Sequence, residues 1–237
     1  MDRGIYVALS GIVLQEKRME ILSDNIANVN TSGYKKQKPV FEDAMPDARG
    51  LRTFAAMNEV VTDMSQGLSE KTDRRLDVEI RGGGFFAVNT PNGPRYTRDG
   101  SFVLGADGTL MTREGYAVAG EKGAIKLTSP DVDINPDGSV MNGNAVAGKL
   151  KLVTFGNPGL LVREGSFFAA ADPGVNPSQA DPNTMLDQGH IETSNVNPVK
   201  AMTTMIEAMR SYETHSKMIQ TIDDITKKTI DEVGRAS

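Results

Sequence analysis

The chain has no cysteine, no tryptophan, only two histidines, and an aromatic content of 5%. Without cysteine there is no disulfide, no thiolate nucleophile and no sulfur-ligated metal. That composition suits the cytosol, and it equally suits a protein that crosses a membrane unfolded. His190 and His215 stand far apart without a ligand-spaced partner, which argues against His-based metal or nucleophilic chemistry. Few aromatics and no Trp deprive a β-sandwich hydrolase or sugar-binding domain of its aromatic platform. The ten-residue apolar run IYVALSGIVL, residues 5–14, is far short of the about 20 residues that span a bilayer. Neither charge sign dominates: 26 basic and 31 acidic residues are interspersed, for a net charge of -5. With no basic face interleaved with aromatics, no nucleic-acid partner is expected. Hydrophobic residues make up 38% of 237, a lean core for one large or two small domains. Part of the order is therefore expected from packing against neighbours.

What is present is a repeat at each end. Ile5, Ile12, Met19 and Ile26 recur every seven residues, and Ala8, Gln15, Leu22 and Val29 follow each by three. This is a narrow apolar stripe on a helix, of the width that suits helix-on-helix packing. The stripe runs through the 5–14 segment, Gln15-Glu16-Lys17-Arg18 follows it at once, and there is no small-x-small site; a cleaved signal peptide is not expected. Asn25, Asn28 and Asn30, then Thr31-Ser32-Gly33, mark the end of this helix. At the other end, Asn197-Pro198 is an N-cap followed by Pro at the first helical position. No Pro or Gly follows until Gly234, which predicts a helix to about residue 232, about 52 Å long. Met202, Met205, Met209, Tyr212, Ile219 and Ile222 form its apolar seam.

The middle of the chain is strand-patterned. Leu76, Val78 and Ile80 alternate with Asp77, Glu79 and Arg81. Turn dipeptides recur at Asn92-Gly93, Asp99-Gly100, Asp107-Gly108, Glu114-Gly115, Asp137-Gly138 and Asn142-Gly143. Their spacing argues for hairpins in a sandwich or barrel. Residues 35–71 carry no clear period, although pairs such as Val60-Val61 fit short strands, and residues 171–188 are rich in Pro, Asp, Asn and Gly and predict a loop. The expected fold class is thus mainly β with long terminal α-helices, an α+β chain. The two helices pair as a coiled-coil-like stalk, and the middle forms a β-sandwich or barrel-like domain.

Apparent chemical sites in the middle are weak. Gly82-Gly83-Gly84-Phe85-Phe86-Ala87 fits G-x-G-x-x-A, but an aromatic strand follows where a dinucleotide site needs a helix. Asp133-x-Asn135-x-Asp137-Gly138 resembles a calcium loop, yet Asn144 stands where a bidentate Glu belongs and Pro136 interrupts. No catalytic residue, metal or cofactor is expected.

Three ordered blocks resemble a known family, the axial rod and hook proteins of the bacterial flagellum. The first is residues 23–35, SDNIANVNTSGYK, with Asn25, Asn28, Asn30, Thr31, Gly33, Tyr34 and Lys35. The second is residues 76–86, ending Gly84-Phe85-Phe86, with Tyr96, Arg98 and Gly100 beyond it. The third is Gly189-His190-Ile191-Glu192-Thr193-Ser194-Asn195-Val196, continuing into the last helix. Together the blocks span nearly the whole chain. The opening Met1–Tyr6 and the modest length are most similar to the proximal-rod branch, with the distal-rod branch the nearest competitor. Ser23-Asp24, where relatives often have Ala-Asn, departs from the pattern. The resemblance implies a structural subunit that polymerises through its terminal helices into a hollow drive shaft for motility. It implies export by the flagellar type III apparatus without a cleaved signal, a periplasmic rod location, and partners that are copies of itself and other rod and hook–basal-body axial proteins. No small-molecule substrate is implied. In those terms 1–34 and 192–237 are the helical core, 35–74 a linker and 75–191 the central β domain. Distal rod or hook subunit, or an exported β-domain adhesin or scaffold, are the alternative readings.

Overall fold

The structure, a computed structural model, describes residues 2–43, 55–143, 145–170, 174–181 and 183–235. The chain divides into two compact units: residues 1–27, 37–62 and 196–237, and residues 28–36 and 63–195.

The first unit holds two helices, α1 (Asp2–Ala27) and α2 (Pro198–Arg235), and an antiparallel ribbon of Gln37–Asp43 with Ala55–Thr62. The ribbon occupies part of the stretch that lacked a clear period, and Val60-Val61 lie in it. The Asn197 side chain caps α2 by accepting from the Lys200 amide at 2.9 Å, as the Asn-Pro signal predicts. Gly234 does not close α2, which continues to Arg235. The helices run antiparallel: Gly4 faces Ile222 and Gly11 faces His215.

The heptad seam splits in two. Ile5, Ile12, Met19, Leu22, Ile26 and Val29 are half-buried, while Ala8 and Ile21 are the buried apolar residues of α1. On α2, Ala201 and Ala208 are buried and Met205, Ile219 and Ile222 half-buried. Met202, Met209 and Tyr212 face outward, exposed by 52%, 50% and 37%. A sequence repeat marks an apolar stripe but does not say which of its residues meet the mate and which stay at the stripe's edge.

The second unit is β. One sheet runs in the order Leu161–Glu164, Phe167–Ala170, Gly93–Thr97, Phe85–Thr90, Ala117–Gly120, Leu110–Met111, Val103–Leu104. Leu152–Thr154 also pairs with the Phe85–Thr90 strand. Among the described residues the sheet path does not close, so the barrel expectation is corrected to an open sheet accompanied by smaller ones. The end strands of the path, Leu161–Glu164 and Val103–Leu104, do not pair with each other, and the latter is only two residues long. Successive side chains of a strand point to opposite faces. Phe86 enters a cluster with Val78, Ile80, Phe102, Leu110, Val118 and Leu150, and Phe85 enters another with Tyr96, Val153, Phe155 and Phe168. The central strand thus has a core on each face. The scarce aromatics are concentrated here. Edge-on pairs join Phe86 to Phe102 at 5.0 Å, Tyr96 to Phe155 at 4.8 Å, and Phe85 to Phe168 at 5.6 Å.

Five of the six turn dipeptides sit at turns, and Asp99-Gly100 lies in irregular backbone. At three of the six an Asp accepts from the amide and hydroxyl two residues on: Asp99 from Ser101, Asp107 from Thr109, Asp137 from Ser139. These bonds hold the exposed Asp107 and Asp137 carboxyls below their ordinary value. Asp133 is taken by Arg75 at 2.8 Å, so the acids of the calcium-like loop have protein partners; Asn144 lies outside the described residues. The loop reading of residues 171–188 is corrected in part: Met185–Gln188 pairs with Val78–Arg81 and buries Leu186. Residues 171–173 and 182 lie outside the described residues.

Phe102 is fully buried against Phe86. Phe102→Ala is expected to lower the stability of this unit by about 3–5 kcal/mol in urea unfolding, because no neighbour can collapse into a ring-sized void.

Candidate functional site

The second unit draws the three sequence blocks to one place. Lys35 comes from the turn after α1, Arg98 from the end of the strand Gly93–Thr97, and Glu192 from the end of His190–Glu192. Each is a charged side chain in the interior, with Lys35 and Glu192 both 1% exposed and Arg98 6%. Lys35 Nζ is ion-paired with the Glu192 carboxylate and donates to the Ser65 carbonyl at 2.8 Å. Glu192 Oε1 also accepts the Gly67 amide at 2.8 Å, and Oε2 lies 3.4 Å from Arg98 Nη1. Arg98 reaches on to the carbonyls of Gly82 at 2.7 Å and Ile80 at 3.3 Å, with its guanidinium 5.4 Å from the Phe85 ring centre.

A fourth charge balances the set. Glu79 is 2% exposed, hydrogen-bonded to Gln66 at 3.1 Å and to the Ser69 hydroxyl. Two cations and two carboxylates thus share the interior. Burial pushes the Lys35 ammonium below its usual value, and Glu192 opposes it. Burial pushes Arg98 down as well, opposed by Glu192 and then Glu79.

Backbone contacts lock the same junction. The Gly33 amide donates to the Glu192 carbonyl at 2.7 Å, and the Asn195 amide to the Tyr34 carbonyl at 3.3 Å. Asn195 clamps two segments with one side chain: Oδ1 accepts the Lys36 amide at 2.7 Å while Nδ2 donates to the carbonyls of Asp63 and Ser65. The Tyr34 ring lies 3.9 Å below the Arg163 guanidinium. Gly33 has a φ of +69°, and a Cβ there would stand 2.4 Å from the Asp99 amide nitrogen, so only Gly fits. Gly100 is under the same pressure, with the Val78 carbonyl 1.8 Å from where its Cβ would be.

Most motif residues therefore converge. Gly33, Tyr34, Arg98, Gly100, Glu192 and Asn195 are in the junction, and Phe85, Phe86 and Tyr96 line the cores beside it. Ser194 is buried in the same unit. Gly84 and Gly189 hold positive φ at the borders of strands. Asn28 and Thr31 close the turn, with Thr31 N donating to Asn28 O at 3.2 Å, while Asn30 is exposed. Asn25 and Val196 belong to the other unit, where Asn25 exchanges two 2.8 Å bonds with the Gln37 backbone. Sequence reasoning passed over Glu79, Ser65, Gly67, Gln66 and Arg163. Glu79 in particular alternates with apolar residues and resembles a solvent-facing position; it is buried because its strand has an interior on both faces.

Chemically the junction is a tie, with its carboxylates saturated by hydrogen bonds and cations. Among the described residues no helix is long and apolar enough to cross a membrane, and no group of acidic, His or Cys side chains is placed to hold a metal.

Comparison with known proteins matches the three blocks in order. Residues 5–35 match the description "Flagella basal body rod protein", residues 79–142 "Flagellar hook protein FlgE/F/G D1 domain", and residues 187–232 "Flagellar basal body rod FlgEFG protein C-terminal". The class defined is that of the flagellar axial structural proteins. Full-length relatives agree. The flagellar basal-body rod protein FlgG of Buchnera aphidicola is 34% identical over 257 residues, covering 96% of this chain and 98% of its own. The rod protein FlgF of Caulobacter vibrioides is 31% identical over 244 residues, covering 99% of both. FlgG of Bacillus subtilis is 31% identical, covering 97% and 98%. The chain belongs to the flagellar basal-body rod family, a structural family not known to be enzymatic.

Removing the negative centre of the network strands two buried cations. Glu192→Gln is expected to cost about 3–5 kcal/mol in urea unfolding. Arg81→Gln, which breaks the exposed Arg81–Asp187 pair, is expected to cost less than about 1 kcal/mol. Equal small losses for both would deny the network its role.

Proposed function

We propose that this chain is a structural subunit of the proximal rod, and that it polymerises through its terminal helices into a hollow shaft. The observation that carries the reading is the apolar surface left on those helices. Tyr6, Val7, Leu9 and Val13 are exposed on α1, and Val199, Met202, Ile206, Met209, Met218 and Ile225 on α2. A surface of that extent marks a contact waiting for a partner. Contacts that repeat head to tail without closing a ring build a helical polymer. Copies of this chain and neighbouring axial subunits are the partners that the family membership supports.

In this reading α1 and α2 pair as a coiled-coil-like stalk, formed from residues 1–34 and 192–237. Residues 35–74 are the connector, with 37–62 held in the helical unit and Lys35, Ser65 and Gly67 tied into the β unit, and 75–191 are a β domain of sandwich type. The chain reaches the periplasm through the flagellar export apparatus with its amino terminus intact. It carries no catalysis, cofactor or substrate; its work is shape and repeated association, and it passes torque toward the hook.

Length favours the proximal assignment. The FlgF relative aligns over 244 positions and covers 99% of each chain, whereas the FlgG relative needs 257 positions for 96% of this one. The slightly higher identity to FlgG, 34% against 31%, supports the distal rod as the second reading.

The test is to replace Met202 and Met209 together by Glu, at positions about half exposed. The double variant is expected to keep the circular dichroism and urea midpoint of the parent chain. Cells carrying it as the sole copy are expected to be non-motile, with the subunit missing from isolated basal bodies. Normal incorporation would overturn assembly through this face.

A further inference from the structure

Gly11 sits in the interior of α1, where Gly is less favourable than Ala. Its position is explained by what lies opposite. A Cβ on Gly11 would meet the His215 ring at three atoms, Cε1 and Nε2 at 2.8 Å and Nδ1 at 3.0 Å. His215 Nδ1 is buried and has no hydrogen-bond partner among the described residues, so the ring serves there by its shape. The same geometry repeats one heptad away, where a Cβ on Gly4 would be 3.3 Å from Ile222 Cδ1. From Gly4 to Gly11 and from His215 to Ile222 the step is seven residues each.

Small residues are distributed unevenly along both helices. Gly4, Ala8 and Gly11 lie in the first half of α1, and Ala201 and Ala208 in the first half of α2. Along the buried line larger residues follow the small ones, Met19, Ile21 and Leu22 on α1 and His215, Ile219 and Ile222 on α2, while the half-buried Ile5, Ile12 and Met205 depart from this trend. Antiparallel pairing sets Gly4 and Gly11 of α1 against the larger Ile222 and His215 of α2. Parallel pairing would set small on small and large on large, leaving voids at one end and overlap at the other.

We propose that this size code, with Gly11–His215 as its fixed point, selects the orientation and register in which the two terminal helices pair. The inference rests on the helix pairing of the proposed function and deepens it: it names the contacts that reject other pairings. A slip of one heptad in one direction would set Gly11 against Ala208, small on small, and carry Ile222 past the start of α1. A slip in the other direction would set His215 against Arg18, large on large. Either way the notch at Gly11 loses the ring that fills it.

The absence of cysteine makes the test direct. Four residues along each helix from the Gly11–His215 contact, in opposite directions, stand Gln15 and Ser211. In the full chain, Gln15→Cys with Ser211→Cys therefore reports the observed register. Gln15→Cys with Thr204→Cys reports the slip that sets Gly11 against Ala208. The first pair is expected to form an intramolecular disulfide about tenfold faster than the second. Gly11→Leu raises helix propensity, but its side chain collides with His215 in the observed register and fits over Ala208 in the slipped one. Adding it is expected to cut the preference to about twofold. Adding His215→Ala as well is expected to restore the preference, because Leu at position 11 then has room in the observed register. An unchanged preference in the Gly11→Leu background, or no recovery on adding His215→Ala, overturns the size code and leaves the pairing standing. No preference in the parent background overturns both.

Discussion

Taking an ammonium and a carboxylate out of water costs several kcal/mol for each ion, and only close pairing with further hydrogen bonds offsets it. Lys35 and Glu192 meet that condition although 157 residues separate them in the chain. Arg98 joins from a third segment, and Glu79 balances the charge. The segments that meet at the network are arranged around this demand. The backbone of residues 65–67 turns inward to supply a carbonyl and an amide, Gly33 and Gly100 give up side chains so that strands can approach, and Asn195 ties the segments that enter and leave. A displaced strand would leave one of these buried charges unpaired at a cost of about 3–5 kcal/mol, so the network helps to specify how the segments meet.

The two units solve opposite problems. In the β unit the aromatic and aliphatic side chains of the central strand are covered on both faces. In the helical unit two long helices cover one narrow line and leave Met202, Ile206, Met209 and their neighbours to solvent. The lean composition is consistent with this division, since one unit has a core of its own and the other leaves apolar surface for neighbours. Flexible methionines suit that surface, because they adapt to more than one partner geometry.

Much of this was legible in the sequence. The Asn197-Pro198 cap, the two long terminal helices and the Asp-Gly turns each rest on a local rule, and the local rule held. What was hidden depended on distant contacts. Asp77 and Glu79 alternate with Leu76, Val78 and Ile80 as surface residues do, yet both are buried. Met185–Gln188 lies in a stretch rich in turn formers and becomes a strand because Val78–Arg81 lies beside it. The stripe on α2 named apolar residues, but Met202, Met209 and Tyr212 face away from α1. The three motif blocks were visible as a resemblance; that they meet through Lys35, Arg98 and Glu192 required coordinates.

Quantitative mass spectrometry of hook–basal bodies purified from the source cells would place the subunit in the rod most directly. This chain is expected in every preparation, at a small fixed ratio to the hook subunit. A large ratio would contradict the proximal position and favour the distal rod or hook. Its absence from intact particles would contradict a structural role in the rod.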